Sequence, residues 1–558
     1  AHANSQIIGK SLLRGVFAPA AAITTTRFTL ILAVYLALTA NRSMFGLIAK
    51  ALAPIDAFSA ACLAAIAALL VATLWVLFNL IAWRGVTRMA CAALVLVALA
   101  SAYFMDTYGV VVDRSAIQSV FETDTREMSQ WVNPAMLLYL ALAIPPLWLI
   151  ATVRLATRSI LRELAAKLGS LAILLGVLGG TLLLAYVDLV SISRSHRELR
   201  HMVNPISALN AGRSYLRHRN DDRVETIAPL GRDAHKGAGW KATDLPRLVV
   251  LVVGESARAS SFSLLGYARP TNPQLAKRRV TSFTKVTSCG TATAMSLPCM
   301  FSPLGKARFE SDERLRQENL LDVLAHAGLP PQWFDNNTGS KRIAARTGEV
   351  AMALASGSPS CKGDGCFDEV LIEALERAAT AATDSTVVVL HQLGSHGPSY
   401  FERYPPKFRR FTPTCDTNQL QRCTRAEILN TYDNTIVYTD HVLDRLIEVL
   451  ESQRARFDSA LLYVSDHGES TGERGMYLHG MPYVMAPEEQ THVPMIAWIS
   501  DGYAHAHAID RACLDAQRNR PLSHDHLFHS MLGVLDVDTA VYRSEQDLFA
   551  PCRDSRNQ

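Results

Sequence analysis

The chain has 558 residues, 49% of them hydrophobic and 19% charged, with a mean hydropathy of +0.12 and a formal net charge of +4. Apolar content this high excludes intrinsic disorder as the main state, and so small a net charge over this length argues against a nucleic-acid binder. The length calls for several domains, and a membrane part joined to a sizeable soluble part is the simplest way to reach that average.

Five apolar segments fall in the first 190 residues, at about 28–47, 58–83, 89–104, 134–153 and 168–186. About 20 apolar residues span a bilayer, so each reads as a membrane helix. The first is the weakest, because Asn41 and Arg42 interrupt it. More spans follow the early segments and no small-residue cleavage pattern stands out, so no cleaved leader is expected. With a cytoplasmic N-terminus, that side carries Lys10, Arg14, Arg27, Arg84, Arg88, Arg154, Arg158, Arg162 and Lys167. The opposite side carries Arg42, Lys50, Arg114 and Arg126, beside the acids Asp106, Asp113, Glu122, Asp124 and Glu127. This bias satisfies the positive-inside rule, and an odd number of spans then puts everything after Tyr186 outside the cytoplasm.

Residues 192–245 are polar and lack a sustained apolar period; 193–219 predicts an amphipathic helix on the membrane surface and the remainder a linker. Short β-branched runs then alternate with helical stretches. The runs are 248–253, 386–390, 460–464 and 494–499, and the helical stretches include 320–326, 368–381 and 426–450. That alternation predicts an α/β domain with a mostly parallel sheet and helices on both faces. The expected division is 1–190 for a five-helix transmembrane domain, 191–245 for the bridging helix and linker, and 246–558 for a catalytic α/β domain. Eight of the ten cysteines lie after residue 288, as Cys289/Cys299, Cys361/Cys366, Cys415/Cys423 and Cys513/Cys552. An even set without zinc-ribbon spacing points to disulfides and an oxidising compartment.

In open α/β sheets, ligands bind beyond the carboxyl ends of the strands. Those ends here read Gly254-Glu255-Ser256, His391-Gln392-Leu393-Gly394-Ser395-His396-Gly397-Pro398 and Ser465-Asp466-His467-Gly468-Glu469, with His479 following in Tyr477-Leu478-His479-Gly480. Singly, Glu255 reads as a helix N-terminal acid, Asp466 as a cap, and His396 and His479 as loop histidines. Their convergence at three strand ends instead favours a metal site, and Glu, Asp and His together suit zinc. Gly beside each motif would let the backbone approach a bound ion or phosphate. A nucleophile is expected in Thr287-Ser288-Cys289-Gly290-Thr291-Ala292-Thr293-Ala294-Met295-Ser296-Leu297-Pro298-Cys299, where a Cys289–Cys299 disulfide would stiffen a turn feeding a helix N-terminus that favours a phosphoryl group. Spacing alone leaves Thr291, Thr293 and Ser296 open, with helix capping as their bland alternative.

Together, Val253-Gly254-Glu255-Ser256-Ala257-Arg258, the Cys289–Cys299 stretch running into Met300-Phe301-Ser302, Gly394-Ser395-His396-Gly397-Pro398 and Ser465-Asp466-His467-Gly468-Glu469 are specific. The chain resembles the bacterial phosphoethanolamine transferases that modify lipid A, which include the mobile colistin-resistance enzymes. The resemblance covers nearly the whole chain and implies an alkaline-phosphatase-like catalytic domain in the periplasm, anchored in the inner membrane. It implies Thr293 as nucleophile and Glu255, Thr293, Asp466 and His467 as zinc ligands. One zinc is expected, and His396 and His479 match histidines that line the phosphate site and bind a second zinc or donate protons. Asn337 and Lys341 match residues near the bound phosphoethanolamine, and Glu127 matches a lipid-binding residue. The family's Ile-Gln-Asn motif reads Ile117-Gln118-Ser119 here, so Ser119 stands at a substrate position with a changed side chain. The Cys361/Cys366 and Cys415/Cys423 pairs match family disulfides.

The implied reaction is ping-pong: Thr293 attacks the phosphorus of phosphatidylethanolamine, diacylglycerol leaves, and a lipid A phosphate takes phosphoethanolamine from the threonine. Capping that phosphate with an amine would weaken polymyxin and other cationic-peptide binding. The expected partners are the donor lipid, lipid A and membrane lipids, with no nucleic acid, and the enzyme is expected to act as a monomer. The rival readings are a core-sugar acceptor of lipopolysaccharide, a phosphatase, sulfatase or phosphoglycerol transferase of the same superfamily, and a non-catalytic sensor of zinc or lipid headgroups.

Overall fold

The computed structural model describes residues 22–52, 56–83, 85–122, 128, 131, 133–156, 158–195, 197–221, 227–240, 245–309, 317–352, 358–362 and 365–553. They form two compact units, Ala1–Thr107 with Pro134–Asn210, and Tyr108–Asn133 with Ala211–Gln558. In chain order the first helices are α1 (Thr25–Thr39), α2 (Arg42–Ala51), α3 (Ala57–Ile81), α4 (Thr87–Tyr108), α5 (Arg114–Glu122), α6 (Pro134–Thr152) and α7 (Ile160–Ser195).

In the first unit α3, α4, α6 and Ile160–Ala185 of α7 are each long and apolar enough to cross a membrane. The bent pair α1 and α2, 59° apart, makes a fifth if counted as one span. The bend falls at Asn41, where the sequence interrupts its first apolar segment. There Asn41 Nδ2 donates to Leu36 O (3.0 Å), Asn204 N donates to Asn41 Oδ1 (2.9 Å), and Asn204 Nδ2 donates to Ala40 O (3.0 Å). These side chains satisfy backbone groups that a broken helix leaves open, a requirement in lipid. The start of α2 is capped from α4: the Asp106 carboxylate accepts from Ser43 N (3.1 Å) and from Tyr139 OH (2.5 Å). The end of α3 is capped in the opposite sense by Lys167, whose Nζ donates to Ala82 O (2.9 Å), as the negative end of the helix dipole favours.

The second unit is built on a seven-stranded sheet of β1 (Arg247–Gly254), β2 (Val280–Phe283), β3 (Pro331–Asp335), β4 (Glu349–Ala351), β5 (Thr386–His391), β6 (Asp458–Ser465) and β7 (Met495–Ile499), in the order β2-β7-β6-β1-β5-β3-β4. From β6 across to β4 every pairing is parallel, and β7 alone runs against its neighbours β6 and β2. Strand β1 is apolar on both faces and buried throughout, as a central parallel strand requires. Val249, Leu251 and Val253 face a core shared with α8 (Leu320–His326) and α11 (Asp525–Val534). Helices α9 (Glu369–Ala381) and α10 (Arg425–Ser452) pack on each other and on β5 and β6 respectively. Helix α10 begins with a capping box in which Thr424 and Glu427 satisfy each other's backbone.

The parallel register brings the strand ends level: Ser465 pairs with Gly254, and Val253 and Asp335 both pair with His391. All eight cysteines of the second half are bonded, as Cys289–Cys299, Cys361–Cys366, Cys415–Cys423 and Cys513–Cys552. Cys62 and Cys91 are buried in membrane helices outside these bridges.

Candidate active site

The chain leaves β1 through Glu255 and Ser256, the latter in the left-handed region at φ 55°. Tyr432 of α10 secures this turn: its OH donates to Ser256 O (2.7 Å) and accepts from Arg258 N (3.0 Å). The Glu255 carbonyl accepts from Ser395 N (2.9 Å), tying the ends of β1 and β5 together. At the end of β6, Asp466 Oδ1 accepts from Ser256 N (3.2 Å) and His467 N (2.7 Å). The glycines here serve close packing of the protein on itself. A Cβ on Gly254 would stand 2.5 Å from the Tyr463 hydroxyl, and one on Gly468 2.0 Å from Glu489 O.

Glu255, Asp466 and His467 are completely buried, with ligand atoms within 4.8 Å of one another. His467 Nδ1 lies 2.9 Å from the carbonyl of Gly468, so it carries the proton and Nε2 presents a lone pair. That lone pair faces Asp466 Oδ2 (3.3 Å), Glu255 Oε1 (3.4 Å) and Thr293 Oγ1 (3.3 Å). Among the described residues nothing donates a hydrogen bond to Asp466 Oδ2. Burial, then the Glu255 charge, pushes the Asp466 carboxyl well above the usual carboxylate range. Burial raises Glu255 too, but the imidazoles of His467, His396 and His479 hold it well below that range. Buried carboxylate and imidazole acceptors converging on one another are what a divalent cation resolves, and this oxygen and imidazole set fits zinc.

Thr293 opens helix α12, which the chain order places between β2 and β3 as Thr293–Met300. Its Oγ1 donates to Glu255 Oε2 (2.9 Å). The other two candidate hydroxyls are spent on carbonyls: Thr291 Oγ1 donates to Met481 O (2.5 Å), and Ser296 Oγ to Asp466 O. His396 Nδ1 stands 3.2 Å from Glu255 Oε1, and His479 Nδ1 stands 2.8 Å from Glu469 Oε2. The His396 and His479 rings are 5.3 Å apart, and those of His467 and His479 4.3 Å. Asn337, on the loop after β3, donates from Nδ2 to Glu255 Oε2 (2.9 Å). Lys341 lies on the same loop with Nζ on Thr338 O (3.1 Å). Ser119 sits on α5, which packs against the Thr293 helix, and Glu127 lies outside the described residues.

Three further residues belong to this neighbourhood. Glu469 is buried, bridges Tyr400 OH (2.6 Å) and His479, and is pushed up to about 8 by burial. His524 ties the nucleophile turn to the β6 end, accepting at Nδ1 from Cys289 N (3.1 Å) with Nε2 on Ser465 O (2.9 Å); burial lowers it to about 3, so it is neutral. His391, at the end of β5, pairs with Asp335. Glu469 stood inside a recognisable motif. His391 opened another, but its pairing with Asp335 and the role of His524 carried no local signal, because these partners are far apart in the chain.

A three-layered, mostly parallel sheet with carboxylates, imidazoles and a helix-opening threonine at its strand ends defines an alkaline-phosphatase-like domain. The comparisons agree. Residues 247–537 match the sulfatase family, and residues 70–220 match the family described as phosphoethanolamine transferase EptA/EptB. Phosphoethanolamine transferase EptA of Salmonella typhimurium is 39% identical over 84% of this chain and 86% of its own length. Phosphatidylethanolamine transferase Mcr-1 of Escherichia coli is 34% identical over 90% and 94%. The integral membrane lipooligosaccharide phosphoethanolamine transferase A of Neisseria meningitidis superposes with a TM-score of 0.91 at 33% identity, covering 95% of this chain and 99% of that one. The chain belongs to the phosphoethanolamine transferase family of membrane enzymes.

Proposed function

We propose that the enzyme moves phosphoethanolamine from phosphatidylethanolamine to a phosphate of lipid A through a phosphoethanolamine-threonine intermediate on Thr293, with release of diacylglycerol. The observation that carries this reading is the Thr293 hydroxyl on Glu255 Oε2 at 2.9 Å, facing the His467 lone pair at 3.3 Å. The names of the Escherichia coli and Neisseria meningitidis relatives, which specify phosphatidylethanolamine and lipooligosaccharide, support donor and acceptor. Glu255, Asp466, His467 and Thr293 would hold zinc, which when bound lowers the pKa of a hydroxyl ligand and offsets phosphoryl charge.

Glu255 Oε2 accepts the Thr293 hydroxyl hydrogen bond in the resting site and lies where that proton departs. As Thr293 Oγ1 bonds to phosphorus, the phosphorus–glycerol oxygen bond breaks and its electron pair leaves on that oxygen. His396 or His479 supplies the proton it needs. Glu469 holds His479 at Nδ1. Asn337 and Lys341 would bind phosphoethanolamine, and Ser119 with Glu127 the lipid. The same reading has a cytoplasmic N-terminus, a transmembrane region over 1–190, a bridge over 191–245 and a periplasmic catalytic domain over 246–558 of an inner-membrane monomer. Amine-capped lipid A would then bind polymyxin less tightly.

The test is intact mass and peptide mapping of zinc-loaded enzyme after incubation with phosphatidylethanolamine and no acceptor. A phosphoethanolamine adduct on Thr293 is expected. Free phosphoethanolamine accumulating without an adduct would make the enzyme a hydrolase instead.

A further inference from the structure

Beyond Asn337, which bonds Glu255, lies a buried pair, Asp335 and His391, that the proposed reaction does not use. Asp335 ends β3 and His391 ends β5; both are buried, as is Trp333 between them and the core. Asp335 Oδ1 accepts from the backbone N–H groups of Asn337 (2.9 Å) and Gly339 (3.0 Å). Its Oδ2 lies 3.0 Å from Trp333 Nε1, which donates, and 2.8 Å from His391 Nδ1. A carboxylate that accepts from three N–H groups remains ionised. The proton of the pair therefore sits on His391 Nδ1.

That choice of tautomer decides what His391 shows to the site. Because Thr338 N donates to Asn337 Oδ1, the amide nitrogen is the atom that faces Nε2, at 3.3 Å, and Nε2 accepts from it. The same nitrogen donates to Glu255 Oε2 (2.9 Å) and Gln392 O (3.0 Å), while Asn337 Oδ1 accepts from Thr338 N (2.9 Å). Three acceptors thus surround Nδ2. Were the proton on Nε2, an N–H would point at the amide NH2, and rotating the amide would turn its oxygen onto the Glu255 carboxylate.

We propose that Asp335 and His391 are positioning residues: Asp335 fixes the His391 tautomer, His391 fixes the Asn337 amide, and the amide fixes Glu255. The inference rests on the reading of Glu255 as a zinc ligand and Thr293 as nucleophile. Partners behind a metal ligand commonly contribute ~10- to 100-fold in metal affinity or rate.

The experiment is a cycle in the full-length enzyme of His391→Asn, Asn337→Ala and both together, with His391→Gln beside it. Asn keeps a donor near the Nδ1 position, whereas Gln puts an amide oxygen near the Nε2 position. Two readouts are taken: the Zn²⁺ dissociation constant by chelator competition, and the rate of acceptor-free adduct formation. His391→Asn and Asn337→Ala are each expected to cost ~10-fold or more in both. The double variant should be no worse than Asn337→Ala, and His391→Gln should recover most of what His391→Asn loses. If His391→Asn costs the same factor whether or not Asn337 is present, as general loosening or misfolding would, the relay is overturned. It is equally overturned if His391→Asn matches wild type. Wild-type enzyme that binds no zinc and forms no adduct would instead fault the underlying reading.

Discussion

At Gly394 the backbone has φ +55°, and a Cβ there would lie 2.5 Å from Glu255 O and 3.0 Å from Glu255 N. The glycine is needed because the chain leaving β5 must pass over Glu255, the residue after β1, holding Ser395 N on the Glu255 carbonyl. An alanine would add about 1–2 kcal/mol for the left-handed conformation and about 1–3 kcal/mol for overlap with backbone that cannot rotate away. Relief comes by moving Glu255, so the damage should be to the proposed zinc site as well as to the fold. Gly394→Ala is expected to lower the melting temperature without zinc and to shrink the further rise expected on adding zinc to wild type. An unchanged zinc-induced rise would mean that the turn yields without disturbing Glu255. The sequence already suggested glycines beside each motif, but for approach to a ligand. Gly254, Gly394 and Gly468 are instead crowded by Tyr463, Glu255 and Glu489.

Helix α10 shows at the scale of an element how buried polar groups organise the loops around a site. Asp433, Asp440 and Asp444 lie along it, buried, and bind the segment that follows the β1 turn: Asp433 accepts from Tyr267 OH (2.8 Å), Asp440 from the backbone N–H groups of Gln274 (2.8 Å) and Leu275 (3.0 Å), and Asp444 from Arg278 (2.6 Å). Burial raises Asp440 to about 7, with Asp444 adding to the shift and Arg410 and the two N–H groups opposing it. A carboxyl raised on folding contributes stability that is complete below its unfolded pKa of about 3.9 and is lost as pH rises through about 7. Asp440→Asn removes that dependence. Relative to wild type, the variant should gain stability from about pH 4.5 to 7.5, by at most about 1.4 kcal/mol per pH unit. A stability difference that stays flat over this range in thermal melts would place the titration elsewhere. The helix itself was legible from its apolar spacing, as were β1, β5 and β6 from their β-branched runs. Strand β3 was not, since Pro331 and Gln332 open it and only five residues form it. The reversed direction of β7 depends on the connection from β6, which no residue within 495–499 encodes. At the site, Glu255, Asp466, His467 and Thr293 stand in local motifs and could be read. Asp335, His391 and His524 work through partners set by register across strands, and local spacing carries no trace of that.

Taken whole, the chain interleaves its two compact units: Tyr108–Asn133 lies between membrane helices in sequence yet belongs to the unit that carries the sheet. Within that unit α5 packs against the Thr293 helix, and Gly109 passes so close to Gly475 that a Cβ would stand 3.1 Å from its carbonyl. On the proposed reaction, the part of the chain before Ala211 brings two separate benefits. One is physical tethering: a donor lipid extracted by a diffusing enzyme loses acyl-chain burial at ~0.8 kcal/mol per CH₂, whereas a tethered site meets headgroups at high effective concentration. The other is local support of the nucleophile helix by α5. Excision of Ala211–Gln558 removes both, and a short-chain, water-soluble phosphatidylethanolamine separates them. On vesicles of long-chain phosphatidylethanolamine the excised unit should form the threonine adduct at least ~100-fold more slowly than the full chain. On the soluble donor, which needs no extraction, tethering predicts that the gap closes to within ~10-fold. A gap equally wide on both donors would show that α5 holds Thr293 in working geometry and that the membrane helices contribute mainly by delivering it.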